Sequence, residues 1–100
     1  MPAPKVVVTT DVFDNFEANL RDLAGRARIQ ARIQRLADGN PGNHRNLKNG
    51  VTEMRIDFGP GYRVYYTLRD QATIVILLVG GNKSSQQADI ALAYDLVGKL

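Results

Sequence analysis

The sequence predicts an α+β domain, in which a small and mainly antiparallel sheet packs against an N-terminal helix pair and a C-terminal helix. Two observations carry this prediction. Apolar residues recur at helical spacing before residue 38, and they alternate with polar residues from residue 51 onward. A final helical segment follows residue 84, so the expected order is β-α-α-β-β-β-α. A chain of 100 residues has the length of a single domain, which we expect to span residues 1–100.

The first 42 residues predict one strand and two helical segments. β-Branched residues at positions 5–9 favour a strand, whose place in the sheet stays open, and Thr10 or Asp11 is suited to cap the helix that follows. The apolar positions of this helix are Phe13, Phe16, Leu20 and Leu23. Gly25 is expected to interrupt it, and a second segment ends at residues 38–42. The apolar positions of the second segment are Ile29, Ile33 and Leu36. The two segments form either an antiparallel pair or one bent helix.

The second half of the chain predicts three antiparallel strands. Residues 43–50 are expected to be a polar loop. The first strand then places Met54, Ile56 and Phe58 on one face and Glu53, Arg55 and Asp57 on the other. After a turn at residues 59–61, the second strand places Val64, Tyr66 and Leu68 on the apolar face and Arg63 and Tyr65 opposite. Residues 73–79 predict a central strand ended by Gly80 and Gly81, and Ser84 with Gln87 is expected to form a capping box.

Composition excludes several classes of protein. There is no cysteine and only one histidine, which excludes disulfides, thiolate metal sites and sites with two or more histidines, and no cofactor is expected. The longest apolar run is far shorter than the roughly 20 residues that a membrane helix needs. We therefore expect a cytoplasmic protein.

Positive charge is concentrated in the middle third of the chain. Residues 26–63 carry eight Lys or Arg and three acidic residues, whereas acidic residues predominate in residues 1–25. Such a distribution favours either a basic surface for a polyanion, nucleic acid first, or a solvated face without a partner.

The polar face of the two alternating strands is the strongest candidate site. Glu53, Arg55, Arg63 and Tyr65 are expected to share it, because residues paired across antiparallel strands lie about 5 Å apart. One interpretation is a functional site, because one carboxylate, two guanidinium groups and a phenol on one face of a small sheet are an unusual combination. The other is a surface ion pair between Glu53 and one arginine.

Three further features allow two interpretations each. Lys83 stands where the central strand passes into the last helix, so it suits either phosphate binding or ordinary capping, although no nucleotide-binding loop is present. Arg28, Arg32 and Arg35 form a stripe on the second helix, either for phosphate contacts or as a solvated face. His44 is either a loop residue or a group that stacks on a base or transfers a proton.

Three stretches resemble the RelE/ParE toxin superfamily of bacterial type II toxin–antitoxin systems. They are residues 28–43, 50–66 and 74–90. Their most specific parts are the strand with Glu53-x-Arg55, the hairpin with Gly59-Pro60-Gly61-Tyr62-Arg63, and Gly80-Gly81-Asn82-Lys83 with Gln86 and Asp89-Ile90 downstream. The resemblance spans about residues 13–96, and the HigB-like "addiction module killer" toxins are the most similar branch.

The resemblance implies a RelE-like fold and a toxin that cleaves mRNA in the ribosomal A site by attack of a ribose 2′-hydroxyl. It places the reacting groups on an open sheet face. Glu53 would be the base, Arg55 and Arg63 would hold the phosphate, Lys83 would steady its charge, and the general acid stays open. The expected contacts with RNA or the ribosome are Arg28, Arg32, Arg35, His44, Arg45, Lys48 and Tyr65.

The same superfamily includes ParE-type toxins that inhibit DNA gyrase without cleaving RNA, and a degenerate toxin that only binds an antitoxin is a third interpretation. A cognate antitoxin, often with a helix-turn-helix domain, is implied in every version. The ribosome and mRNA are implied by the first.

Overall fold

The computed structural model describes residues 3–100, which form five strands and three helices. The chain order is β1 (Val6–Thr9), α1 (Asp11–Asn19), α2 (Leu23–Ala37), β2 (His44–Asn46), β3 (Val51–Ile56), β4 (Tyr62–Arg69), β5 (Ile74–Asn82) and α3 (Gln86–Gly98). A single 3₁₀ turn, Lys83–Ser85, joins β5 to α3. None of these helices combines the length and the apolar character needed to cross a bilayer.

The strands form one mixed sheet in the order β1-β5-β4-β3-β2. The predicted antiparallel pairing of the last three strands is confirmed, and β1 completes the sheet by lying parallel to β5 at one edge. The opposite edge is β2, which lies in the segment expected to be a loop. Its three side chains are all exposed, so it pairs through its backbone and leaves no apolar alternation in the sequence. The α+β class is confirmed.

Helices cover both faces of the sheet. The first core lies under α1 and α2, and its largest members are Phe13, Ile29, Leu36, Met54, Tyr62, Tyr66 and Leu77. The second core lies under α3 and consists of Val51, Tyr65, Leu78, Val79, Ala93 and Val97. The expectation that the face bearing Glu53 and Tyr65 would be open is therefore wrong: α3 lies across it.

The N-terminal helical region is two helices rather than one bent helix. Thr10 caps α1 by accepting a hydrogen bond from the backbone N–H of Phe13, as predicted. The break falls before Asp22, which caps α2 through the N–H of Gly25, so Gly25 lies inside α2 and does not interrupt a helix. A Cβ on Gly25 would lie 2.5 Å from the Tyr62 ring, which explains the glycine by close packing. Leu23 is 73% exposed and belongs to α2, not to the stripe of α1.

The last strand continues through the glycines that were expected to end it. Gly80 pairs with Val64 and Gly81 pairs with Arg63, so both residues remain in β5. Helices approach the backbone of β5 here from both sides. A Cβ on Gly80 would lie 2.2 Å from the Phe16 ring of α1. One on Gly81 would lie 1.8 Å from the Asp89 carboxylate of α3. These glycines therefore allow both helices to pack closely.

The capping box lies two residues earlier than predicted. The box begins at Asn82 rather than at Ser84, because the Asn82 side chain accepts a hydrogen bond from the Ser84 N–H. The Ser85 hydroxyl accepts the reciprocal hydrogen bond from the Asn82 N–H. The box opens the 3₁₀ turn rather than α3 itself. Lys83 thereby occupies the first position of the turn, next to Gly61.

Gly80→Ala is expected to destabilise the protein by about 1–3 kcal/mol, the usual cost of overpacking, because the added methyl group overlaps the Phe16 ring. Gly98→Ala is the matched control, since a Cβ there meets nothing within 4 Å, and it should stabilise α3 by up to about 1 kcal/mol. Urea unfolding of the three proteins measures both effects. Equal stability of the Gly80 variant and the wild type would contradict this account of the packing.

Candidate functional site

Glu53 lies at the centre of a polar cluster built by the register of three strands. Arg45 of β2 and Tyr65 of β4 are its direct neighbours across the sheet. Arg45 Nη2 lies 3.2 Å from Glu53 Oε1, and Arg55 Nε donates to the same oxygen at 3.0 Å. The Tyr65 hydroxyl and the Gln86 side-chain amide donate to Oε2 at 3.0 and 2.8 Å. Both carboxylate oxygens therefore accept two donors each.

The Glu53 carboxylate is ionised although it is fully buried. Burial raises its pKa, but the hydrogen bonds from Gln86, Arg55 and Tyr65, together with the charge of Arg45, outweigh burial and hold the pKa below its ordinary value. Burial, and then the hydrogen bond to Glu53, raise the pKa of Tyr65, which stays protonated.

Two arginines face each other across β3 and β4 on the same side of the sheet as Glu53. Arg55 is paired directly with Arg63, an arrangement of like charges that is unfavourable unless an anion lies nearby. Arg55 forms an ion pair with the Glu53 carboxylate. Arg63 forms no ion pair with any described residue, and its Nε is buried without a hydrogen-bond partner. The arrangement can therefore bind an anion that bridges the two guanidinium groups.

Lys83 and Asp89 lie at the same end of the sheet as Arg63. The pairing of Arg63 with Gly81 brings the 3₁₀ turn beside it, and Lys83 is exposed there next to the turn at Gly61. Asp89 packs over Gly81 and accepts a hydrogen bond from the Ser85 hydroxyl at 2.6 Å. Burial raises the pKa of Asp89, which that hydrogen bond only partly offsets. Arg55 and Arg63 are thus paired, and Lys83 lies at the same end of the sheet as Arg63.

Comparison with known proteins now identifies the family. The model of the phage-derived Gp49-like proteins (DUF891) matches residues 11–96. This chain belongs to the Gp49-like family. An uncharacterized protein of Haemophilus influenzae is 45% identical to it over 95 residues, which are 94% of each chain.

Two solved structures share the fold of this Gp49-like protein. The RelBE2 toxin–antitoxin complex of Mycobacterium tuberculosis contains a chain with a TM-score of 0.62 and 20% identity, covering 80% of this chain and 99% of that one. A mutant of the E. coli toxin RelE in its free state has a TM-score of 0.67 and 12% identity, covering 86% and 93%. The predicted RelE-like fold is confirmed, since both of these toxin structures share the fold of this chain.

The remaining predicted contact residues lie apart from the arginine pair. His44 is paired with Met54, so its side chain points to the opposite face of the sheet from Glu53, and its Nδ1 lies 2.8 Å from the Gly42 carbonyl oxygen. Lys48 is at the other end of β3, where its backbone N–H donates to the Tyr94 hydroxyl. Tyr65 is fully buried, so the expectation that it stacks on RNA is wrong.

The arginine stripe of α2 is divided between structure and surface. Arg32 is not free for phosphate contacts, because its guanidinium donates to the carbonyl oxygens of Arg55, Pro41 and Asn43 at 2.6, 3.0 and 3.1 Å. Arg28 and Arg35 are exposed, and the Arg28 guanidinium lies 4.8 Å from the centre of the Phe58 ring. Two of the three predicted residues therefore form a basic surface, on the α2 side of the sheet.

Two features of the site were missed by sequence reasoning. The sequence identifies Gln86 only as part of a motif and Arg45 only as a cation in an expected loop. In the structure, both side chains contact the Glu53 carboxylate. The pairing of Arg45 with Glu53 could not be predicted without recognising β2. Within residues 3–100 no group of three or more His, Asp or Glu side chains is placed to hold a metal ion.

The stability of the Gp49-like protein should depend on the charge of Glu53. Its folded-state pKa lies below the ordinary value of 4.5, so its contribution is present above about pH 4.5 and is lost as the pH falls through the folded-state value. The difference in unfolding free energy between wild type and Glu53→Gln should therefore be largest near neutral pH and shrink below about pH 4. Urea unfolding across this range measures it. A difference that is constant with pH would contradict the assignment.

Proposed function

We propose that this chain is the toxin of a type II toxin–antitoxin system and cleaves mRNA bound to the ribosome. The observation that carries the proposal is the direct pairing of Arg55 with Arg63, with Lys83 at the same end of the sheet. Arg45 and Arg55 pair with one buried carboxylate, and Arg63 adds a third guanidinium opposite Arg55, so the site carries net positive charge. The RelE-like fold supports the same conclusion, and the RelBE2 complex supports an antitoxin as partner.

The proposed reaction is attack of a ribose 2′-oxygen on the adjacent phosphorus, with departure of the 5′-oxygen. It leaves a 2′,3′-cyclic phosphate and a 5′-hydroxyl, and the proton lost by the 2′-hydroxyl is balanced by one gained by the leaving oxygen. Negative charge grows on the phosphorane oxygens. Arg55 and Arg63 would bind these oxygens with their planar forks, and Lys83 would add a point charge. Stabilisation of this charge is the main catalytic contribution of the site.

We infer dependence on the ribosome because, among the described residues, no imidazole lies beside the arginine pair. His44, the chain's one imidazole, points to the other face of the sheet, and Glu53 has no exposed surface. The ribosome would therefore have to hold the message in a reactive geometry, a contribution that alone can be worth several orders of magnitude in rate. Arg28, Arg35, His44 and Lys48 would serve as contacts with ribosomal RNA, outside the reacting centre.

Arg63→Ala is expected to lower the rate of cleavage on programmed ribosomes by about 100- to 1000-fold, because it removes a donor to the charge that develops on phosphate. Folding should be retained, since no described carboxylate loses a partner. The control is Arg69→Ala at the other end of the same strand, where the side chain is exposed and bonds only Thr67 and Leu68. The measurement is single-turnover cleavage, with urea unfolding in parallel.

Induction of the protein in cells, followed by mapping of RNA 5′ ends, tests the proposed activity as a whole. Cuts within translated codons are expected, and they should disappear in the Arg63 variant but not in the Arg69 variant. Intact messages together with a supercoiling defect would instead identify a ParE-type inhibitor of gyrase. Growth without arrest, but with antitoxin binding retained, would identify a degenerate toxin.

The exposed pair on α2 is expected to act in docking. Replacing Arg28 and Arg35 together by Gln should weaken ribosome association and reduce the slope of log affinity against log salt concentration by about 2, because two fewer counterions are released. Arg32 is left intact, since its loss would remove a donor from each of three carbonyl oxygens. Ribosome binding across a salt series measures the slope. An unchanged slope would remove α2 from the interface.

A further inference from the structure

We propose that Glu53 is a positioning residue that orders Arg45 and Arg55 for phosphate binding and fixes α3 across the sheet, and that it is not the base of the reaction. This inference rests on the proposed function and changes the role that the sequence predicted for Glu53. Its ground is the geometry of the carboxylate, which is wholly buried, accepts hydrogen bonds from β3, β4 and α3, and forms an ion pair with Arg45 of β2.

The accessibility of the groups argues against proton transfer to Glu53. A base must come within hydrogen-bond distance of the 2′-hydroxyl, and both Glu53 oxygens are already occupied by donors at 2.8–3.2 Å. The guanidinium groups are different, because the Arg45 and Arg55 side chains are 46% and 35% exposed while Glu53 is 0% exposed. A substrate phosphate approaching from solvent therefore meets the arginines first.

The atoms used in each contact leave the arginines able to bind phosphate. Arg55 binds Glu53 through Nε, so both of its terminal amino groups remain available. Arg45 uses Nη2 and keeps its other N–H groups. An arginine anchored on one edge loses little further conformational freedom when the other edge binds an oxyanion. Glu53 thus orients the guanidinium groups of Arg45 and Arg55 and does not itself take part in the reaction.

Gln86 connects this anchoring to the helix that covers the site. It stands at the first position of α3 and donates to Glu53 Oε2 at 2.8 Å. The 3₁₀ turn that carries Lys83 immediately precedes it. The same carboxylate therefore holds two arginines and the first residue of α3, directly after the turn that carries Lys83.

The first test compares Glu53→Gln with wild type in single-turnover cleavage on programmed ribosomes between pH 6 and 9. Loss of positioning should lower the rate about 100-fold, as small misplacements of catalytic groups do, and should leave the shape of the pH profile unchanged. If Glu53 were the base, the variant would depend on hydroxide and its rate would rise tenfold for each pH unit, a departure from wild type that would overturn the proposal. A faster variant would also overturn it, since it would mean that Glu53 only opposes the substrate's charge.

The second test needs no activity and follows the Arg55 Nε–H by NMR. Its exchange with water should be about tenfold or more faster in Glu53→Gln, because a charge-assisted hydrogen bond is replaced by a weaker neutral one. Asp95→Asn is the matched control: it also converts a carboxylate paired with a cation, Lys99 at 3.1 Å, but on the exposed side of α3. Unchanged exchange in the Glu53 variant would overturn the proposal. If Arg55 is ordered in the wild type but the wild type cleaves no mRNA on ribosomes, the proposed function is overturned while the ordering of Arg55 by Glu53 stands.

A third variant keeps the proposal testable if Glu53→Gln does not fold. Arg55→Lys retains the positive charge and can still pair with Glu53, but a lysine bound to the carboxylate has no second edge for phosphate. Cleavage should fall by about 100-fold while the urea midpoint stays near that of wild type. Wild-type cleavage by this variant would show that an ordered fork is not needed.

Discussion

The buried carboxylate of Glu53 is the interaction on which the site depends. Taking a charge out of water costs several kcal/mol, and it is tolerated only where donors replace the lost hydration. Here the donors come from three strands and one helix, so the sheet register and the position of α3 must both be correct for the charge to be stable. The cluster therefore couples the fold to the arrangement of the cationic groups.

In the pair formed by Arg55 and Arg63, by contrast, the repulsion between like charges is not fully offset by partners. Arg55 and Arg63 stand directly across two strands, where like charges lower stability. Within residues 3–100, Arg55 is the one member of the pair with a carboxylate partner, and the buried Nε of Arg63 has no hydrogen-bond partner. A stable core without further purpose would place an acidic or apolar side chain at one of these positions. In the proposed function, the phosphate of the substrate would offset this repulsion.

Much of the fold could be predicted because its signals are periodic. The alternation in β3 and β4, the Thr10 cap and the apolar stripe of α2 each follow from local spacing. The burial of Glu53 could not be predicted in this way. Its polar neighbours in the sequence indicate a solvated face, and only the docking of α3 buries it. That helix is apolar on most sides, so its sequence does not indicate which face packs on the sheet.

The glycines and Arg32 show a second limit of local reasoning. Gly25 and Gly80 look like breaks in regular structure, yet each stands where an aromatic ring from another element approaches the backbone. Arg32 has the same spacing as Arg28 and Arg35, but its guanidinium satisfies carbonyl oxygens of β3 and of the loop after α2. Side-chain type and spacing are the same for a surface contact and for a structural one, and only tertiary neighbours distinguish them.

The positive charge of the chain is thus divided between the two faces of the sheet. Arg45, Arg55, Arg63 and Lys83 lie around the buried carboxylate and the start of α3, whereas Arg28 and Arg35 lie on the side covered by α2. A sheet separates the two groups, so a single phosphate cannot contact both. In the proposed function this separation assigns them different tasks. The α2 arginines can only attach the protein to a large polyanion that extends around it, and the reacting phosphate must enter from the α3 side.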